Sequence, residues 1–432
     1  MIFYLILTLI LISLSCLGFY FLSKVTVLNF KYLNFISYQY ILHFFIFIVP
    51  GTIAILFGIR FELALQPVSE DTILDTLLAI MWCIIAFPIT MLIWDTLFHQ
   101  KLKNKTIQFY EKEVVHNQKH TLNKIKILTL LSTISLFLFV YLLPVVPIFH
   151  IGSGGDIIME YRLKSAFDLP SEIYIFRRLL VYFFPIFFLY LLALNSIKKI
   201  PIYILLINFL NAAFILSYST EKAPILFFIM AIIFTINITN KNFVINKKKV
   251  AAFMIMSTIL LLFMITFFYN NGINDAVMSL ANRIFISQIS GSYLSMEYYG
   301  TNAPFKYFHE VFFRLDALFG NNVTMPASEE LVSYYFPYQY ENNLWRNTNS
   351  FIIQGAWANF GIFGIIFAPI WCATVIYFCI LYVIRSPKTP AILAVYSYSS
   401  IFMVSLSTNF NNFIYSSGFI LTIMIWLFLR KI

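Results

Sequence analysis

Charge is what this chain has least of: Asp, Glu, Lys and Arg make up 11% of its 432 residues, while 60% are hydrophobic. An ordinary soluble domain carries about 25% charged residues, so a soluble globule is excluded. Long polar stretches are missing as well. Apolar runs recur from Met1 to the C-terminus, which replaces the roughly three soluble domains suggested by length with one membrane domain over residues 1–432. The short alternating segments of an outer-membrane barrel are absent, and no internal repeat of the inverted-transporter kind is evident. Cysteine and histidine are few. Cys16, Cys83, Cys372 and Cys379 all fall inside apolar runs, so they are placed for packing and not for an external disulfide framework. His43 also lies in an apolar run, His99, His116 and His120 share one Lys-rich connection, and His150 and His309 stand far apart. No metal-ligand spacing results, and no metal or other cofactor is expected. The first apolar segment lacks the basic start and small-residue cleavage site of a signal peptide, so it is expected to stay as a span.

What is present is hydrocarbon of helical length. Runs of about 20 residues match helices crossing a core of about 30 Å. They predict an all-α polytopic membrane protein of about eleven helices, near residues 2–22, 37–59, 73–97, 127–149, 173–195, 200–218, 224–239, 250–269, 351–384, 391–408 and 413–429. The ninth is long enough to tilt or to begin as an interfacial helix. Alternate connections (23–36, 98–126, 196–199, 240–249, 385–390, 430–432) hold 19 of the 29 basic residues against two acids, Glu111 and Glu113, a net +17. The other face holds 10 bases against 16 acids, a net −6, and Asp95 sits near the inner end of the third helix. Cytoplasmic loops retain Lys and Arg, so the N-terminus is expected outside and the C-terminus inside. The basic balance then reflects topology and anionic membrane lipid, with no nucleic-acid partner.

Two external connections are long: 150–172, and a loop at 270–350 that should carry elements of its own. Residues 275–299, with Met278, Ala281, Phe285 and Ile289 at helical spacing, and 305–319, with a Phe305, Phe308, Phe312, Leu315, Phe319 stripe, read as amphipathic helices. Their apolar faces suit either packing on helix ends or lying in the membrane surface. The external bases are Arg60, Arg162, Lys164, Arg177, Arg178, Lys222, Arg283, Lys306, Arg314 and Arg346, seven of them Arg, whereas the inner face is dominated by Lys. A guanidinium grips phosphate or carboxylate in two places, which points to an anionic ligand. The competing reading is ion pairing with external acids, as in the Lys306, Glu310, Arg314 row at i, i+4, i+8. Arg177, Arg178 and Lys222 lie at the edges of apolar runs, where an unpaired charge tends to face a cavity.

The turn Ser217–Pro224 puts Lys222 just ahead of a helix start, a setting that favours an anion. Gly152–Gly155 lacks the spacing and Lys of a phosphate loop. Candidate proton acceptors are Asp156, Glu160, Asp275, Glu297, His309, Glu310 and Asp316, with His309 and Asp316 seven apart on one helical face. Tyr334, Tyr335, Phe336, Tyr338, Tyr340 and Trp345, set among Gln339, Glu341, Asn342 and Asn343, suit either sugar rings or an interfacial aromatic belt.

A large external loop before the last helices, the Ser219-Thr-Glu-Lys222 turn opening a middle helix, and Asn347-Thr-Asn-Ser350 followed by Asn359-Phe-Gly-Ile-Phe-Gly364 entering a late helix resemble the O-antigen or oligosaccharide repeat-unit polymerases of the Wzy type. Two departures stand out: Lys222 occupies a place that is often Arg, and there is no clean pair of Arg-containing external repeats. The resemblance implies a bacterial inner-membrane glycosyltransferase, inverting and metal-independent, with its active site facing the periplasm. Its donor and acceptor would be undecaprenyl-pyrophosphate-linked glycans, and a chain-length regulator protein would be a partner. It further implies pyrophosphate held by Arg177, Arg178, Lys222, Arg283 and Arg314, an acceptor hydroxyl activated by Glu297 or His309, and glycan contacts from Tyr335, Tyr338 and Trp345. A lipid-linked oligosaccharide flippase and an O-antigen ligase are the alternatives.

Overall fold

The computed structural model describes the chain apart from residues 1, 30, 60–64, 67, 117–120, 151–154, 168, 222, 241–258, 260–272, 308, 311–324, 343–344, 346, 350 and 404–409. Within the described residues the secondary structure is helical, with a single isolated bridge between Tyr299 and Ala303. Six helices are long and apolar enough to cross a membrane: Ile2–Val25, Glu70–Leu97, Thr121–Leu142, Ser171–Asn195, Ile352–Arg385 and Phe410–Leu429. Four shorter apolar helices accompany them: His43–Leu56, Ile202–Ser217, Ala223–Thr239 and Pro390–Phe402. Each of these ten coincides with one of the eleven predicted runs; the eleventh, 250–269, lies outside the described residues apart from Ile259.

In chain order, α1 is Ile2–Val25, and α2 is a continuous run of Phe35–Gln39, a π-helical stretch Tyr40–Ile48 and Val49–Leu56. Then come α3 (Glu70–Leu97), α4 (Leu102–Glu111), α5 (Thr121–Leu142), α6 (Gly155–Phe167), α7 (Ser171–Asn195), α8 (Ile202–Ser217) and α9 (Ala223–Thr239). Local chemistry sets these limits. Ser69 caps α3 by accepting from Thr72 N at 3.3 Å, and Glu70 and Asp71 in the first turn favour the positive end of the helix. Pro88 inside α3 cannot supply an N–H to the carbonyl of Ile84. The buried Tyr40 hydroxyl donates to that oxygen at 2.9 Å, and Gly18 of α1 leaves the room it occupies.

The buried side chains form two cores. One gathers α1, α2, α3, α4, the 286–299 region and residues 351–384; the other gathers α5, α7, α8, α9 and the C-terminal helices. Between α5 and α8 the contact is partly polar, with Asn208 Nδ2 donating to Thr129 Oγ1 (2.9 Å) and Asn211 Nδ2 to Thr133 Oγ1 (3.1 Å). Hydrogen bonds of this kind link helices where lipid cannot compete for the polar groups.

The connections sort into two ends. At one, Tyr32 donates to Glu111, Lys103 to the Ser23 carbonyl, Lys388 to the Tyr110 carbonyl and Lys124 to the Lys431 carbonyl. These join four of the predicted inner connections. At the other, Tyr4 reaches Glu70, Ser69 reaches Glu297, Arg162 meets Glu221, and Asn359 meets Asn411. Ser69–Glu297 and Arg162–Glu221 join predicted external connections, and Glu70 and Asn411 of such connections meet the predicted runs 2–22 and 351–384.

Two expectations for the long loop change. Residues 275–299 are not one helix: α10 (Ile273–Ala281) runs into a π stretch Asn282–Ile286, breaks, and restarts as α11 (Ser290–Tyr298), whose face Ser290–Ser295 is buried against neighbouring helices. The described part of 305–319 is turn rather than helix, with Tyr307 at φ 50°, so Lys306 pairs with Glu330 of α12 (Ala327–Tyr335) instead of Glu310. The remaining elements are α13 (Pro337–Glu341), α14 (Ile352–Arg385), α15 (Pro390–Tyr398, continued by a π stretch Ser399–Met403) and α16 (Ser417–Leu429).

Candidate functional site

The site is framed by a break in α14. Gly361 adopts φ 56°, ψ −135°, a conformation open to glycine, and splits the helix in two. The halves fold back on each other: a Cβ on Gly364 would collide with the Ala356 carbonyl, although eight residues of straight helix span about 12 Å. The reversal strands the last carbonyls of the first half. The loop supplies their donors, Lys306 N to Ala358 O (2.8 Å) and Tyr307 N to Asn359 O (2.9 Å). Phe305 sits over both Gly361 and Gly300, which has φ 92°, and its ring meets Trp357 edge-on at 5.8 Å.

Beneath the reversal is a buried polar centre. Asn359 Nδ2 has three acceptors in reach, Gly355 O (2.7 Å), Asn411 Oδ1 (3.1 Å) and Glu310 Oε2 (3.2 Å), while Glu310 Oε1 accepts from Ala327 N (3.1 Å). Above it, Glu330 accepts from the hydroxyls of Tyr299 (3.0 Å) and Tyr298 (3.3 Å) and pairs with Lys306. Burial, then the Glu330 charge, push the Tyr298 hydroxyl up to about 12 and raise Tyr299 further.

Glu297, on the exposed side of α11, has one oxygen held: Oε2 accepts from Ser69 N (3.0 Å) and Ser69 Oγ (2.8 Å). Partial burial pushes its pKa up, but hydrogen bonds from Thr72 and Ser69 outweigh that and leave it below the ordinary carboxylate value. Both Ser69 contacts fall on Oε2. Tyr335 lies close enough for the Glu297 charge to add to the burial that raises its hydroxyl. Its ring stands 4.9 Å from Tyr334 and 6.0 Å from Tyr298. Trp345 stacks on Phe336 at 4.8 Å, and Tyr338 is largely exposed. This carboxylate stands near Tyr335, and the neighbouring Tyr334 and Tyr338 are the exposed rings of this stretch.

The other sequence candidates divide. His309 is exposed, its N–H on the Lys306 carbonyl at 3.1 Å. Arg283 is exposed on the π stretch, whose backbone approaches α2 so closely that a Cβ on Gly51 would collide with the Phe285 carbonyl. Arg177 and Arg178 are half-buried on α7, over Tyr218 (5.8 Å) and Tyr174 (5.9 Å) respectively. Arg177 lies over Tyr218 of the second core, whereas Tyr335 and Trp345 pack against the first. Lys222, Arg314, Asp316 and most of the Gly152–Gly155 run lie outside the described residues. Glu330 and Asn411 enter the site without having been singled out in the sequence. In the sequence Glu330 is one of several acids in the 270–350 loop, and nothing local links Asn411 to Asn359 across 52 residues. No family model, curated protein or solved structure matches the chain.

Proposed function

We propose that the protein is a multi-pass glycosyltransferase of the bacterial inner membrane, with eleven spans, that polymerises undecaprenyl-pyrophosphate-linked oligosaccharide repeat units on the periplasmic face into O-antigen or a related polysaccharide. The observation that carries this reading is the Glu297 carboxylate, half-exposed on α11, held by Ser69 through Oε2 and close to Tyr335 of α12. In the proposed step the acceptor sugar hydroxyl gives its proton to Glu297, and its oxygen attacks the anomeric carbon of the donor. The bond from that carbon to the pyrophosphate oxygen breaks, its electron pair leaves with the pyrophosphate, and the configuration inverts. Tyr335, Tyr338 and Trp345 stack the acceptor sugars. His309 is the second candidate base. Arg177, Arg178, Lys222, Arg283 and Arg314 are the cations assigned to pyrophosphate, where fixed charge in a dry site assists departure of an anion.

The resemblance of the Asn359–Gly364 segment and the surplus of Arg on one face support the reading. Deletion of the gene tests it: loss of a polymerase leaves one repeat unit on each lipopolysaccharide core, loss of a ligase leaves none, and loss of a flippase holds precursor on the inner leaflet. Complementation with Arg178→Lys and Arg283→Lys at normal protein level should shorten the chains, because an ammonium cannot grip pyrophosphate bidentately. Wild-type chain length in both variants would remove these residues from the site.

A further inference from the structure

At the end of the molecule remote from Glu297, two cations meet on one neutral atom. Arg385 Nη2 and Lys105 Nζ each donate to Gln100 Oε1 at 2.6 Å, so the charged nitrogens stand no further apart than twice that distance. Like charges this close repel, and no carboxylate among the described residues lies within ion-pair distance of either. Two acids of this end are engaged elsewhere. Asp95 accepts from Leu102 N (2.9 Å) and from Tyr377 (3.3 Å), which also feels Arg385, and Glu111 accepts from Tyr32 (3.1 Å).

The pair is held in place. Lys388 is buried and donates to the carbonyls of Tyr110 and Lys112 at 2.8 Å each, which fastens the 385–389 turn to the C-terminal end of α4. Beside Arg385 opens a cleft of about 530 Å³ lined by Phe378, Leu381, Tyr382, Ser386 and Pro387. Its wall continues through the exposed Phe98, which meets Phe378 edge-on at 5.6 Å and stacks on the half-buried Trp94 at 5.6 Å.

We infer that this cleft is a binding site for an anionic phospholipid, the headgroup phosphate bridging Arg385 and Lys105 and an acyl chain lying along Phe378 and Tyr382. A phosphodiester supplies the negative charge the two cations lack, and a guanidinium can take two of its oxygens. The apolar wall selects a lipid over a free anion, and basic pockets between spanning helices suit such headgroups. The site does not depend on the glycosyltransferase reading.

The test uses the full-length protein in neutral detergent. Phosphatidylglycerol, phosphatidylcholine or inorganic phosphate is added, thermal stability is followed, and bound lipid is counted by native mass spectrometry. Phosphatidylglycerol should raise Tm and remain bound. Arg385→Gln with Lys105→Gln should raise the half-saturating concentration at least tenfold, while Lys24→Gln with Lys31→Gln, the same charge change elsewhere at this end, should leave it unchanged. If the double variant does not fold, Arg385→Lys serves, with at least threefold weakening expected. An unaltered response in the Arg385 variants, or an equal effect of phosphatidylcholine or of inorganic phosphate, would overturn the inference.

Discussion

Single atoms decide whether polar groups can be buried in this chain. Without the Tyr40 hydroxyl, the Ile84 carbonyl freed by Pro88 has no donor and is cut off from water. Leaving such a group unsatisfied costs about 1–3 kcal/mol. Tyr40→Phe should therefore lower stability by about that amount, read as a fall in Tm in detergent, with the fold retained. Gly18→Ala should destabilise through the same oxygen, because the added methyl would occupy the space of the Tyr40 hydroxyl. Glu297 makes a prediction about pH. Its pKa is lower in the folded state than the ordinary 4.5, so its contribution is fully present above pH 4.5 and is lost as pH falls through the folded value. Wild-type protein should lose stability below pH 4.5 more steeply than Glu297→Gln; parallel curves would show that the Ser69 contact does not hold α11 to α3. Removing a catalytic base typically lowers a rate about 10² to 10⁴-fold, so under the proposed function the same variant should lose chain growth by that order while protein level is kept. At this scale the sequence named Glu297, the tyrosines and the Arg set from residue type alone. It could not show that Glu297 has one oxygen engaged, because Ser69 is 228 residues away.

At the scale of elements, the decisive feature is the reversal within α14. The halves touch through backbone, Ala356 against Gly364, and backbone cannot move aside as a side chain can. Gly364→Ala should cost at least the ~1–3 kcal/mol of ordinary overpacking and loosen the polar centre formed by Asn359, Asn411 and Glu310. Limited proteolysis around residues 305–310 should report that loosening; an unchanged Tm and digestion pattern would mean that the halves are not packed as described. The apolar run 351–384 predicted a helix here, long enough to tilt or to begin as an interfacial helix. It did not reveal a hairpin, because hydrophobic periodicity says nothing about one residue at positive φ, and glycine serves a straight helix nearly as well as a broken one. The split of 275–299 was hidden for a related reason. A 3.6-residue pattern persists through a π stretch and a short break, so Met278, Ala281, Phe285 and Ile289 keep their spacing while the backbone does not keep its ladder.

For the whole molecule, charge and contact agree on which connections belong together. Four of the Lys-bearing connections touch one another, and among the acid-bearing ones Arg162 meets Glu221 and Ser69 meets Glu297. That sorting was legible in the sequence because it needs only the positions of apolar runs and the sign of what lies between them. The division into two cores was not, since it depends on which helices pack. Contacts alone leave open which end faces the cytoplasm, so the orientation rests on the basic residues. A cysteine replacing Ser328, in the α12 region beside Glu330, should react with a membrane-impermeant thiol reagent added outside intact spheroplasts. One replacing Asn117, within the Lys-rich connection, should react only after the membrane is opened. The native cysteines lie within apolar helices, so Ser and Ala replacements at Cys16, Cys83, Cys372 and Cys379 provide a silent background. Reaction of both from one side would break the alternation. A clean exchange of sides would keep the fold but put Glu297 and the Arg set in the cytoplasm, away from any flipped lipid-linked donor, and the proposed polymerase would fall with it.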